Sequence, residues 1–117
     1  MKFLLIFLGG GIGSLLRYGF SLGIQKTSIQ LPVVTLLANV VSCLIFGTVV
    51  YAFKEKQLVP DVYKYLLLIG ICGGLSTFST FSFETFELLK QGLFMWAIVN
   101  VVVSVLLCVG LFYVIVK

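Results

Sequence analysis

An all-helical membrane protein of four transmembrane helices is the fold class this sequence predicts, and three observations carry it. Of 117 residues, 61% are hydrophobic and 10% charged, with a mean hydropathy of +1.22, whereas roughly a quarter of the residues in a soluble domain are charged. The apolar residues fall into stretches at about 3–24, 33–53, 62–89 and 93–116, each long enough for a hydrocarbon core that needs ~20 residues. These stretches are also too long and too evenly apolar for barrel strands, and a helix satisfies its own backbone groups in lipid. The chain, 1–117, therefore reads as one transmembrane domain.

The net charge of +4 comes from seven lysines and one arginine against four acids, with the lysines scattered near segment ends. That pattern fits interfacial anchoring in lipid and excludes a nucleic-acid footprint. Cys43, Cys72 and Cys108 lie in three different apolar segments, and the chain has no histidine, so the thiols read as packing residues. No nucleophile sits beside an evident base, which argues against an enzyme.

The first segment opens "MKFLLIFLGGGIGSLLRYGF". A lysine before an apolar run resembles a signal peptide, but no small-x-small site follows and the pattern continues past Arg17, so it is read as the first span. Gly9 and Gly13 are four apart, on one helical face suited to close packing. Arg17 is too deep for a terminal loop: it either snorkels to the interface or faces an aqueous vestibule where it draws anions.

The second segment places Thr35, Asn39 and Ser42 at spacings of four and three. Asn39 then lies near mid-depth, where it either bonds a neighbouring helix or offers a neutral donor to an anion. The third, "GICGGLSTFSTFSFETFELL", is the least ordinary. Gly73 and Gly74 are poor helix formers and the hydroxyls after them compete for backbone bonds, so the helix is expected to break there at mid-membrane. A break frees carbonyls for a cation and amides for an anion. Phe78 and Phe81 share one side of the resumed helix and can turn positive ring edges to a narrow path. In the fourth segment Asn100, Ser104 and Cys108 form one stripe, serving helix contact or a polar track.

The connectors are "QKTSIQLP", "KEKQLVPD" and "KQG". An even number of spans puts both termini and the middle connector on one face, which carries Lys2, Lys54, Lys56, Lys64 and Lys117 against Lys26 and Lys90 opposite. The bias favours a cytoplasmic N-terminus.

Three motifs, "GGGIGSLLRY", "TLLANVVSCLIFG" and above all "GICGGLSTFSTFSFE", resemble those of the CrcB/Fluc family of fluoride channels, through all four segments. The resemblance implies an antiparallel, dual-topology dimer in the cell's inner membrane, with two pathways exporting cytoplasmic fluoride passively. It makes Phe78 and Phe81 the paired rings lining the path and Asn39 the pore asparagine. Thr35 and Ser79 join as hydroxyl donors, Ser104 and Cys108 as the track on the fourth helix, and Arg17 as the first motif's arginine. Backbone carbonyls of Gly73 and Ser76 correspond to ligands of a structural Na+ at the dimer centre, and Glu84 to the structural glutamate closing the third motif. The chain departs from the family pattern at Val34, Ser42 and Cys43, where glycine, glycine and serine are usual. It departs again at Ser76, usually threonine, and at Asn100, often tyrosine. Its lysine bias leaves open a heterodimer with an oppositely oriented homologue in place of a homodimer. Two rival readings stand beside the channel. A proton-coupled drug exporter needs an embedded carboxylate that the first, second and fourth segments lack, and a non-transporting scaffold would use the hydroxyl stripes only as glue.

Overall fold

The computed structural model describes residues 1–24 and 32–117; the first connector, with Lys26, lies outside the described residues. The described chain is helical almost throughout: α1 (Lys2–Gly23), α2 (Val33–Ala52), α3 (Tyr63–Cys72, wound with the wider π spacing), a single turn α4 (Gly73–Leu75), α5 (Phe78–Lys90) and α6 (Phe94–Val116). By length and composition four helices can cross a membrane: α1, α2, the α3-to-α5 run of 28 residues, and α6. The 48 Å long axis exceeds a hydrocarbon core of about 30 Å.

The shortest dimension, 21 Å, is about two helix diameters. A slab so thin encloses few side chains, and Leu75 and Asn100 are the largest that are fully buried. Its faces are covered with exposed Phe, Leu, Ile and Val, the surface expected where the surroundings are lipid or another apolar face.

Glycine sets the closest contact. A Cβ on Gly9 would overlap the Leu66 carbonyl oxygen and come within 2.8 Å of Gly70 Cα; one on Gly13 would overlap the Ile71 carbonyl and reach Leu75 N at 2.7 Å. The backbones of α1 and α3 therefore touch, the packing that small residues permit in lipid. Gly74 packs likewise onto the Gly10 carbonyl. Gly73 and Gly74, the first residues of the stretch expected to interrupt the helix, remain in right-handed helical geometry. Helical geometry is lost at Ser76 (φ −78°, ψ 155°) and Thr77 (φ −152°, ψ 123°) instead. Gly74 serves the approach of α1, Gly73 is open on its outer side, and the hydroxyl residues after them leave the helix.

Restarting costs little because Thr77 caps α5: its Oγ1 accepts the Thr80 N–H at 3.2 Å, a cap of the sort that stabilises a helix start by ~1 kcal/mol. At one end of the slab, Lys54 Nζ donates to the Lys117 carbonyl at 2.7 Å. There also Lys2 and Lys64 approach the Tyr65 ring at 5.3 and 5.6 Å. Both termini and the middle connector thus share that end, as an even number of spans requires.

Candidate functional site

The break is held from α2. The Asn39 Oδ1 accepts the Thr77 N–H at 2.8 Å, and its Nδ2 donates to the Thr77 carbonyl at 3.4 Å. The Asn39 amide thus pairs with the Thr77 backbone as another strand would. In an unbroken helix the Thr77 N–H would bond the Gly73 carbonyl; here it is spent on Asn39. Among the described residues no hydrogen bond reaches the carbonyl of Gly73 or of Ser76. The Ser76 hydroxyl turns back onto the Cys72 carbonyl at 2.6 Å, which the Ser42 hydroxyl also reaches at 3.0 Å. Two carbonyl oxygens are thereby left for another partner, and the open side of Gly73, where a Cβ would meet nothing within 4 Å, faces away from the subunit.

Beside the break lies a cavity of about 340 Å³, open on one side and walled by α2, α5 and α6. Its lining gathers Asn39, Phe78, Phe81, Ser104 and Cys108, five residues the sequence assigns to one path, together with Cys43 and Thr77. The Phe78 and Phe81 rings are 5.8 Å apart, centroid to centroid, and inclined at 38°. Phe81 is half-buried, whereas Phe78 is 79% exposed.

A hydrogen-bonded chain backs this wall. Ser104 Oγ donates to Asn100 Oδ1 (3.5 Å), Asn100 Nδ2 to Thr85 Oγ1 (2.9 Å), and the Thr85 hydroxyl to the Phe81 carbonyl (2.8 Å). Asn100, 1% exposed, is therefore a buried tie between α6 and α5, the helix-contact alternative for its stripe.

Thr35, Arg17 and Glu84 are placed elsewhere, on a second cavity of about 530 Å³ between α1, α2 and α5. There the Thr35 hydroxyl donates to Glu84 Oε1. This wall carries a guanidinium and a carboxylate together, so its field is mixed rather than simply anion-attracting. Ser79 lines neither cavity; its exposed hydroxyl lies 3.3 Å from Thr77 Oγ1. Sequence reasoning missed Thr77 and Thr85. A capping signal for Thr77 was present, a hydroxyl residue three before Thr80, but nothing in the sequence pairs its backbone with Asn39.

The family model described as "CrcB-like protein, Camphor Resistance (CrcB)" matches residues 4–116. The chain belongs to the CrcB family. Its relatives include proteins named fluoride-specific ion channel FluC. That of Serratia proteamaculans is 39% identical over 101 residues, covering 86% of this chain and 80% of the relative. That of Escherichia coli O139:H28 is 41% identical over 103 residues, covering 88% and 81%. A Yersinia pseudotuberculosis relative, named fluoride-specific ion channel FluC 1, is 40% identical over 102 residues, covering 87% and 80%.

Proposed function

We propose that this CrcB chain is a fluoride-selective channel, letting cytoplasmic fluoride leave down its electrochemical gradient and so relieving fluoride toxicity. The observation that carries the reading is the cavity beside the helix break, where Asn39, Phe78, Phe81 and Ser104 meet, in a chain whose relatives are named fluoride-specific channels. The task is transport rather than catalysis. Fluoride is small and tightly hydrated, so a path must replace its water with closely placed partners without holding it too long. The second proton of the Asn39 Nδ2, hydroxyls and the positive edges of the Phe78 and Phe81 rings do this without a full positive charge. Arg17, Thr35 and Glu84 form the wider entrance, and Ser79 adds a hydroxyl at the cap of α5.

The working unit in this reading is a dimer of copies inserted in opposite senses in the inner membrane, with the Ser76–Thr77 break at mid-depth. The exposure of Phe78 and the apolar faces of the slab support a second copy. The free carbonyls of Gly73 and Ser76 suit Na+, a cation that takes oxygen ligands, and each copy would contribute both. When bound, sodium supplies a positive charge that ties the two breaks together. The protein's own part is done by Asn39, which takes the N–H that would bond the Gly73 carbonyl, and by the Thr77 hydroxyl, which takes the Thr80 N–H that would bond the Ser76 carbonyl.

The test is fluoride loss from liposomes holding the purified chain, read with an ion electrode beside a chloride control. Fluoride loss without chloride loss is expected, and would favour a homodimer because one chain suffices. Folded protein that passes no fluoride, alone or with an oppositely oriented homologue co-expressed, would sink the proposal.

A further inference from the structure

Two thiols meet on the wall of the central cavity. Cys43 on α2 and Cys108 on α6 both line it, close enough for the two thiols to interact. Both are free and half-buried. The other polar side chains of that lining have partners. Asn39 holds Thr77, Ser76 bonds the Cys72 carbonyl, Thr77 caps α5 and Ser104 donates to Asn100. Among the described residues neither the Cys43 nor the Cys108 sulfur is taken up in a hydrogen bond to another group of that lining.

The third cysteine does not join them. Cys72 is buried off the cavity wall, and its Sγ donates to the Ser42 carbonyl at 3.5 Å. No group of three or more His, Cys, Asp or Glu converges among the described residues, which rules out a four-ligand zinc site of protein donors there. Two adjacent sulfurs with no third ligand suit a soft cation that prefers linear, two-coordinate binding, since thiolates select soft metals.

We propose that Cys43 and Cys108 form a two-sulfur site for a thiophilic divalent cation of the mercuric type. On binding, each S–H bond gives way to a sulfur–metal bond and both protons leave to water in the open cavity. The two thiolates cancel the charge of Hg2+, and no electron is transferred. The neutral product avoids burying net charge in an apolar wall. Cys43 is one helical turn from Asn39, and Cys108 one turn from Ser104. The bridged metal therefore joins α2 to α6 beside the donors that line the cavity, and blocks passage there. The metal site itself does not rest on the proposed function; only its effect on passage does.

The experiment adds mercuric chloride to the purified protein, washes with excess monothiol and weighs the intact chain. Wild type and Cys72→Ser should retain one mercury with two protons lost and no chloride kept. Cys43→Ser and Cys108→Ser, close in size to the native residues, should lose the metal in the wash. Retention by either of those two variants at the wild-type level, or loss from wild type, overturns the proposal. In liposomes, mercuric ion should stop wild-type fluoride efflux and leave Cys43→Ser efflux at its own rate before mercury; equal inhibition of both would overturn the block. If no form passes fluoride, alone or with an oppositely oriented homologue, the proposed function fails while retention still decides the metal site.

Discussion

Changing Asn39 to Asp separates the two tasks its side chain performs, because it keeps one contact and alters the charge. The carboxylate still accepts the Thr77 N–H, now 2.8 Å from Oδ1, but loses the longer donation to the Thr77 carbonyl at 3.4 Å and sets its second oxygen, an acceptor, against that carbonyl. The loss of that weak bond costs at most about 1 kcal/mol, so the variant should fold and purify like wild type. Asn39→Leu, in contrast, strands the Thr77 N–H as well and should cost about 1–3 kcal/mol. The charge dominates the effect on passage. A carboxylate about 4 Å from a passing anion repels it by about 4 kcal/mol at an effective dielectric of about 20, and by half that at twice the distance. At 1.36 kcal/mol per decade, fluoride flux should fall roughly 30- to 1,000-fold. Efflux from liposomes measures the flux, and size-exclusion elution with thermal melting in detergent measures the fold. Wild-type flux from folded Asn39→Asp would place Asn39 off the path and refute the reasoning.

Replacing Phe81 with Ile removes a ring edge from the cavity and a ring contact worth about 1 kcal/mol; fluoride flux should fall at least tenfold with the protein still folded, and unchanged flux would remove the ring from the path. Gly13→Ala should prevent purification of folded protein, since its Cβ would overlap the Ile71 carbonyl and crowd Leu75 N at 2.7 Å, whereas Gly11→Ala, with nothing within 4 Å, should leave the melting temperature unchanged or raise it by the ~1 kcal/mol that separates glycine from alanine in a helix. Asn100→Leu takes the acceptor from the buried Ser104 hydroxyl and one of its two bonds from Thr85, and should destabilise by about 1–3 kcal/mol, read as a lower melting temperature. Exchanging sodium for a bulky organic cation should lower the melting temperature of the purified assembly if the Gly73 and Ser76 carbonyls hold Na+; indifference to the exchange would remove that assignment.

The helical class and the four spans are legible because lipid leaves the backbone one local solution. Any stretch of some 20 apolar residues must bond to itself, and no tertiary information is needed to say so. The Gly9 and Gly13 face is legible for a similar reason: a four-residue spacing of the smallest side chain states where two helices touch, though not that α3 is the helix touched. The location of the break shows where local reasoning stops. Glycine propensity points to Gly73 and Gly74, but in lipid a glycine is retained wherever backbones must approach, and Gly74 meets the Gly10 carbonyl. The residues that leave the helix are those with an outside partner for the backbone bond that is lost, and that partner, Asn39, lies 38 positions away.

The same distance in sequence explains the division of the polar residues. Composition and spacing identify which side chains do not belong in lipid, and they group Thr35 with Asn39 because the two share a helical face. Yet Thr35 donates to Glu84 on one cavity while Asn39 reaches Thr77 on the other. One turn of α2 is enough to send them to different cavities. Asn100 makes the point from the buried side. Its spacing from Ser104 and Cys108 marks a stripe, but a stripe does not say which members face water. With Oδ1 taken by Ser104 and Nδ2 by Thr85, Asn100 spends its polarity on joining two helices. Cys108, at the other end of the same stripe, remains on the cavity wall. Helical phase therefore fixes which residues are neighbours, and it is the partner helix that decides which of them remain available to an ion.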